Sequence, residues 1–254
     1  MQLNFAAREV TVKLVYYGPA LSGKTTNLKA LHELTRQDSR GRLMTLETKD
    51  DRTLFFDMLP LVFKADTEGG AMSLRVKVFT VPGQVVHAST RRLVLQGADA
   101  VAFIADSQLS ETENNAASFL DLRDNLKGLG RSMKDVPLVI QFNKRDLPRV
   151  RTDAEIDDLA RRGREPVFKA SAARGQGVIE CFFGLLERGW RKLDADHDLT
   201  QKLGINPDEF MAKAATSMGY DGKERELSGA CVGGYAQMRA ATAPRSSARK
   251  GGAS

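Results

Sequence analysis

The fold of this chain is indicated by one short stretch, Gly18-Pro19-Ala20-Leu21-Ser22-Gly23-Lys24-Thr25. The stretch fits the pattern of a phosphate loop, in which glycines allow successive backbone N–H groups to turn toward phosphate oxygens. In that pattern Lys24 contacts the β- and γ-phosphates of a nucleotide, and the hydroxyl of Thr25 ligates Mg²⁺. The pattern is meaningful only where a strand leads into the loop and a helix follows it.

The residues on both sides of the loop meet that requirement. Residues 10–17 are rich in β-branched and aromatic side chains, which predicts a strand. Leu28, Leu31 and Leu34 recur at helical spacing after the loop, which predicts a helix whose positive dipole end faces the phosphates. We expect nucleotide contacts from the following residues of this segment: Gly18, Leu21, Ser22, Gly23, Lys24, Thr25 and Thr26. Ser22 is expected to fit the turn and to carry no chemistry of its own.

The rest of the first three quarters of the chain alternates between strand and helix patterns. We predict strands over residues 59–64, 73–81, 100–105, 138–142 and 166–168, and helices over residues 115–129 and 178–190. The runs 100–105 and 138–142 are almost wholly apolar, which is typical of central parallel strands covered on both faces. The order predicts an open, mostly parallel α/β sheet with helices on both faces and ligand loops at the carboxyl ends of the strands.

A second polar loop, Asn143-Lys144-Arg145-Asp146, directly follows the predicted strand 138–142. A carboxylate such as Asp146 accepts hydrogen bonds from guanine N1–H and the exocyclic amine, whereas adenine has no such donor pair. Lys144 is expected to pack its stem on the base, and Asn143 to tie loops together. The pair Ser171-Ala172, after the next strand, completes the site with a backbone N–H in this interpretation, although an ordinary loop is the equal alternative.

Composition limits the class of protein. The 254 residues suffice for one α/β domain with extra material, because single domains commonly contain about 100–200 residues. No apolar run approaches the ~20 residues that span a bilayer, and no secretory signal is readable, so we expect a cytosolic protein. Cys181 and Cys231 form no disulfide framework or metal cluster. The net charge of +6 is mostly dispersed among acidic residues and is weak support for a polyanionic partner.

The composition changes near residue 194. We divide the chain into a domain over 1–193, an extension with one short helix over 194–235, and a disordered basic tail over 236–254. Asn206 and Pro207 are typical of a helix start, and Gly219 of its end. Three roles stay open for this region: partner docking by the helix that contains Phe210, contact of the basic end with an anionic surface, or solubility alone. No lipidation signal ends the chain.

The two loops and several further motifs resemble those of the MglA-type bacterial small Ras-like GTPases, the class that sets cell polarity in gliding motility. The motifs that carry the resemblance are Val15-Tyr16-Tyr17-Gly18-Pro19, Gly23-Lys24-Thr25-Thr26-Asn27-Leu28, Asp51-Arg52-Thr53-Leu54-Phe55-Phe56-Asp57, Thr80-Val81-Pro82-Gly83-Gln84, Ala105-Asp106-Ser107-Gln108 and Gln141-Phe142-Asn143-Lys144-Arg145-Asp146-Leu147-Pro148. Beyond residue 148 the likeness is only to a generic G-domain ending. The resemblance implies a P-loop NTPase G domain.

The resemblance also implies roles for two switch segments. In residues 51–57, the first switch, Thr53 would meet the γ-phosphate and Mg²⁺, and Arg52 would be an arginine finger supplied by the chain itself. In the second switch, Gly83 would present its N–H to the γ-phosphate and Gln84 would orient the attacking water. Most Ras-like proteins carry Asp where this chain has Thr80, so the usual carboxylate beside Mg²⁺ is missing.

The expected function is therefore a GTP-binding molecular switch that hydrolyses GTP to GDP slowly, with Gln84, Arg52 and Lys24 as catalytic residues and Thr25 and Thr53 on Mg²⁺. His87, near Gln84, is more typical of a surface residue than of a general base. The resemblance implies a roadblock-domain, MglB-like GTPase-activating partner and unknown effectors. Recruitment to a cell pole or inner membrane surface is left open. A GTP-dependent scaffold with negligible hydrolysis and a P-loop kinase or ATPase are the alternatives.

Overall fold

The computed structural model describes residues 1–4, 6–46, 56–67, 70–83, 88–204, 207–220 and 231–232. Its strands are β1 (Gln2–Asn4), β2 (Glu9–Tyr17), β3 (Met44–Leu46), β4 (Phe56–Thr67), β5 (Gly70–Thr80), β6 (Ala100–Asp106), β7 (Leu138–Asn143), β8 (Val167–Lys169) and β9 (Cys231–Val232). Its helices are α1 (Lys24–Leu34), α2 (Ala88–Leu95), α3 (Thr112–Gly128), α4 (Asp153–Arg162), α5 (Val178–His197), α6 (Leu199–Leu203) and α7 (Pro207–Met218).

The strands of the described residues form one mixed sheet in the order β3-β4-β5-β2-β6-β7-β8-β9, with β1 paired to β2. The central strands β5, β2, β6, β7 and β8 are parallel, and the outer pairs are antiparallel. This confirms the predicted open, mostly parallel sheet of a P-loop G domain. The predicted strands 59–64 and 73–81 lie in an antiparallel hairpin, in which β4 pairs with β5 and Leu61 lies opposite Val76.

Two apolar layers cover the sheet, one on each face, because side chains alternate along each strand. On one face Val12, Leu14 and Tyr16 of β2 pack with residues of α1, α5, α6 and α7. On the other face Val15 and Tyr17 pack with residues of α2, α3 and α4. The helices therefore lie on both faces, and the loops between strands and helices are left free at the sheet edge to form a site.

The segment after α5 packs against the sheet rather than away from it. Helix α5 continues to His197, past the predicted boundary at residue 193, and α7 follows with Phe210 buried. The Phe210 ring stacks on the Trp190 ring at a centroid distance of 4.3 Å, and the Ser39 hydroxyl donates to the carbonyl oxygen of Ser217 over 2.9 Å. The division into domain, extension and tail stays a prediction, and residues 236–254 lie outside the described residues.

Within the described ranges, no helix combines the length and the apolar character that a membrane span requires.

Candidate functional site

The polar loops of the sequence analysis meet at one edge of the sheet. Strands β2, β6, β7 and β8 run parallel, so their carboxyl ends lie side by side. The phosphate loop follows β2, the loop that begins at Lys144 follows β7, and Ser171 lies just after β8. One ligand that contacts the first loop is therefore within reach of the other two.

The phosphate loop is a tight turn that ends at the first residue of α1. Gly23 caps the helix in the left-handed region with φ of 94°, and Leu21 also has a positive φ of 60°. The Leu21 side chain is 88% exposed, whereas Ser22 is buried. Leu21 also lines the cavity beside the loop, and its predicted contact with a ligand stays a prediction. Thr25 and Thr26 occupy the exposed first turn of α1, where free backbone N–H groups attract anions.

The ammonium group of Lys24 lies over the loop that it belongs to. Its Nζ donates to the carbonyl oxygens of Gly18 and Pro19 over 2.9 and 2.6 Å. Burial, assisted by the positive charge of Arg91, lowers the pKa of Lys24 to about 7, while the negative charge of Asp57 opposes the shift. A bound phosphate would raise this pKa again, because an anion stabilises the protonated amine.

Asn143 links the phosphate loop to the two loops on the base side. Its Nδ2 donates to the carbonyl oxygen of Ser22 over 2.8 Å, and its Oδ1 accepts from the backbone N–H of Ala172 over 2.9 Å. The side chain is 2% exposed. This geometry brings together the loops that the sequence assigned to phosphate and to base. It also engages the Ala172 N–H, which the sequence analysis had offered to the base.

The base-side loops contain two further charged contacts. The Asp146 Oδ1 accepts from the Ser171 hydroxyl over 2.5 Å, which orients the carboxylate predicted to read guanine. Lys144 has a positive φ of 64°, and its ammonium group pairs with the Asp106 carboxylate at 2.6 Å. That ion pair fixes the Lys144 side chain at the carboxyl end of β6, beside the loop that carries Asp146.

The start of the second switch segment lies against the phosphate loop. A Cβ atom added to Gly83 would stand 2.4 Å from the Cα atom of Ala20, so the two backbones are in close contact. Four residues to which the sequence analysis gave attention, Arg52, Thr53, Gln84 and His87, lie outside the described residues. Their predicted roles remain predictions.

A cavity of about 390 Å³ opens beside the phosphate loop. Lys24, Thr25, Asp57, Thr80 and Gly83 are among the residues that line it. Asp57 is 8% exposed, and its Oδ2 accepts from the Thr25 hydroxyl over 2.6 Å. The sequence analysis gave Asp57 no role of its own within the first switch segment. The pairing of β4 with β5 brings it there, because the register that sets Met58 opposite Phe79 places Asp57 beside Thr80.

Few residues here are metal ligands by type. The described part of the chain has no cluster of three or more His, Cys, Asp or Glu that could hold a metal ion. Among the described residues of the cavity wall, the Thr25 hydroxyl and the Asp57 carboxylate are able to serve a cation. The other predicted ligand, Thr53, lies outside the described residues. A site of this kind suits Mg²⁺, which keeps several waters and takes oxygen ligands from one or two carboxylates and from substrate phosphates.

The parallel sheet, the phosphate loop and the asparagine link define a P-loop protein of the G-domain class. No family model matches the chain. It is 43% identical over 178 residues to the curated "Mutual gliding-motility protein MglA" of Myxococcus xanthus (strain DK1622), a match that covers 70% of this chain and 90% of that relative. The chain belongs to the MglA family of small GTPases.

Proposed function

We propose that this chain is a molecular switch that binds GTP and GDP together with Mg²⁺ and hydrolyses GTP. The observation that carries the proposal is the hydrogen bond from Asn143 Nδ2 to the Ser22 carbonyl oxygen, 2.8 Å long. It joins the phosphate loop to the loop of Asp146, so a ligand that has both phosphates and a base has partners on both sides. Guanine is favoured because the Asp146 carboxylate matches its two adjacent N–H donors.

Hydrolysis would proceed by attack of water on the γ-phosphorus. The new P–O bond forms as the bond to the β–γ bridging oxygen breaks, which leaves GDP and inorganic phosphate. The Lys24 ammonium group and the N–H of Gly83 would offset the negative charge of the γ-phosphate oxygens. Gln84 would orient the water, and Arg52 would add a positive charge in the transition state. Bound Mg²⁺ would neutralise charge on the β- and γ-phosphate oxygens.

Switching would follow from the loss of the γ-phosphate. Thr53 and Gly83 would be held by this group in the GTP state and released after hydrolysis. The close contact between the backbones of Gly83 and Ala20 supports this proposal, because a shift of one backbone toward the other must displace it. The surface near residues 55 and 56 would then differ between the two nucleotide states.

The cellular role is proposed from the family. The relative from Myxococcus xanthus is named for gliding motility, and we assign this chain to the regulation of cell polarity or motility from the cytoplasm. A roadblock-domain, MglB-like dimer would stimulate hydrolysis, and the protein would be recruited to a cell pole or the inner membrane surface. The basic C-terminal tail would add a weak contact with anionic surfaces.

Single-turnover GTP hydrolysis tests the enzymatic part. We expect slow turnover by the wild-type chain, acceleration by the roadblock partner, and a loss of about 10³-fold or more in Arg52→Ala, since arginine fingers contribute that much. Gln84→Leu should also lose hydrolysis while it retains GTP binding. Arg42→Ala, a change at an exposed arginine of the same region, should leave the rate unchanged. Equal, near-zero rates in every protein, with and without partner, would contradict hydrolysis and favour a GTP-dependent scaffold.

A further inference from the structure

The carboxylate of Asp57 lies in the cavity beside the phosphate loop although it belongs to an antiparallel strand. Asp57 is the second residue of β4 and pairs with Thr45 of β3. On its other side Met58 pairs with Phe79, so Asp57 lies beside Thr80, the last residue of β5. Its side chain is buried at 8% exposure among residues of the cavity wall. A buried carboxylate requires hydrogen-bond donors or a positive charge around it.

Three hydroxyl groups supply such donors. The Thr25 and Thr80 hydroxyls donate to Asp57 Oδ2 over 2.6 and 3.1 Å, and the Thr45 hydroxyl donates to Oδ1 over 2.9 Å. An ionised carboxylate offers about four acceptor positions. The three hydroxyls therefore orient the carboxylate and still leave it able to accept a further donor, such as a metal-bound water.

Thr80 is fully engaged in orienting Asp57. Its hydroxyl donates its proton to Asp57 Oδ2 and accepts the backbone N–H of the same residue over 2.9 Å. The Thr80 hydroxyl is uncharged, and one of its two lone pairs is already occupied, so it is a weaker acceptor for metal-bound water than the carboxylate that most Ras-like proteins carry at its position. It instead supports a carboxylate that arrives from the neighbouring strand.

The hydrogen bond from Thr25 to Asp57, by contrast, prepares the Thr25 oxygen to bind a cation. Because the Thr25 hydroxyl gives its only proton to Asp57, its oxygen lone pairs remain available to a metal ion. Carboxylates that accept a hydrogen bond from a metal ligand commonly fix that ligand in place and raise its basicity. Lys24, on the same cavity wall, also experiences the negative charge of Asp57, so the carboxylate contributes to the field in which phosphates would bind.

We propose that Asp57 is the carboxylate that anchors Mg²⁺ in this site, by orienting the Thr25 hydroxyl and by accepting hydrogen bonds from metal-bound water. In most Ras-like proteins this carboxylate belongs to the residue at the position of Thr80 on β5. Here it comes from the neighbouring antiparallel strand β4. This inference rests on the proposed binding of guanine nucleotide with Mg²⁺, and it does not require hydrolysis.

The test is the release of a fluorescent GDP analogue as a function of Mg²⁺ concentration. In the wild type we expect Mg²⁺ to slow release relative to EDTA. The variant Asp57→Asn keeps the size of the side chain and removes its charge. The Mg²⁺ concentration for half-maximal slowing should then rise about 10- to 100-fold, the usual loss of metal affinity when a group that orients a metal ligand is removed. Thr80→Val should raise it by less, since it removes only one donor to the carboxylate.

An exchange of the two residues makes the test independent of folding defects. The double variant Asp57→Thr/Thr80→Asp returns a carboxylate to the other side of the same pair and should restore most of the Mg²⁺ response lost in Asp57→Asn. Asp124→Asn, at an exposed carboxylate on α3, should behave as the wild type. Release in EDTA and thermal unfolding of each variant report whether the nucleotide site itself is intact.

An unchanged Mg²⁺ titration in Asp57→Asn would overturn the proposal. A variant that releases GDP faster in EDTA and in Mg²⁺ by the same factor would also overturn it, because Asp57 would then serve only the packing of β4. A wild type that responds to Mg²⁺ through Asp57 but does not hydrolyse GTP would contradict the proposed hydrolysis and leave this inference supported.

Discussion

Asn143 donates a hydrogen bond from its side chain to the carbonyl oxygen of Ser22 over 2.8 Å, across 121 positions of the sequence. Its other carboxamide atom accepts from the Ala172 N–H over 2.9 Å. These two hydrogen bonds join three loops that are distant in the sequence and fix their relative positions before any ligand is bound. This reduces the conformational entropy that binding must overcome.

Removal of this link should cost both stability and affinity. In Asn143→Ala, the Ser22 carbonyl and the Ala172 N–H lose a buried partner, at roughly 1–3 kcal/mol each. We expect the free energy of unfolding in GDP to fall by about 2–6 kcal/mol on that basis. Urea unfolding with GDP measures it. Asn114→Ala, at an exposed asparagine on α3, should change the value by less than about 0.5 kcal/mol. Equal effects of the two substitutions would contradict the assignment.

Gly23 cannot be replaced without disturbing the same link. It has φ of 94°, and an added Cβ would stand 2.2 Å from Asn143 Nδ2. Gly23→Ala should therefore combine backbone strain of about 1–2 kcal/mol with steric collision of about 1–3 kcal/mol, and GDP affinity should fall with it. Gly97→Ala is the matched control, since Gly97 has φ of 68° and open space around it. A loss of stability and GDP affinity in Gly23→Ala no larger than in Gly97→Ala would contradict the predicted collision with Asn143.

Phe210 should make a measurable contribution to the stability of the whole domain. Its ring is 1% exposed and stacks on Trp190, the one tryptophan of the chain. Phe210→Ala should lower the free energy of unfolding by about 3–5 kcal/mol and alter Trp190 fluorescence. Unfolding followed by that fluorescence measures both effects. Thr216→Ala, on the exposed side of α7, should be neutral. An unchanged stability in Phe210→Ala would mean that α7 packs too weakly to matter.

Nucleotide binding should take up a proton above neutral pH. The pKa of Lys24 is lowered to about 7, chiefly by burial, and phosphates raise it in the complex. Below the pKa of the free protein, the Lys24 amine is charged with and without nucleotide. Above it, the amine is neutral in the free protein and must be protonated when nucleotide binds. GDP affinity should thus fall by up to about tenfold per pH unit above the free pKa, until the pKa of the complex is passed.

Calorimetry in buffers of different ionisation heat measures this uptake at about pH 8.5, where close to one proton is expected. In Lys24→Arg the guanidinium group stays charged, so GDP binding to this variant should take up no proton. No uptake by the wild type would contradict the assigned role of the buried amine.

The sequence was sufficient to predict the sheet and the strand and helix on either side of the phosphate loop, because their signals are local. The nucleotide contacts of the loops stay predictions. The apolar runs of β6 and β7 and the glycines around Lys24 are each readable within a few residues. The edge strands β1, β3 and β9 were not predicted, since such short segments become strands only through pairing with a neighbour. Helix α4 was also missed, because it is largely charged and only its capping box of Thr152 and Glu155 indicates where it begins.

The role of Asp57 is the clearest case of information that is absent from local sequence. Nothing in residues 51–57 indicates which of them turns toward the phosphate loop. The register of β4 against β5 decides it, because a shift by one residue would move the carboxylate to the opposite face of the sheet. That register depends on the packing of Leu59, Leu61 and Phe63 in the core, which is a property of the folded domain.

Competition between nucleotides tests the central claim, guanine recognition at the joined loops, most directly. A fluorescent GDP analogue should be displaced by GDP, while ATP should compete about 10⁴-fold or more weakly, since adenine lacks the donor pair that Asp146 reads. In Asp146→Asn the new side-chain amide can donate a hydrogen bond to the second carbonyl of xanthine. This variant should therefore shift its binding preference from GDP toward xanthosine diphosphate. Asp124→Asn should compete as the wild type. Displacement by ATP as effective as by GDP, or an Asp146→Asn variant with unchanged preference, would contradict the account.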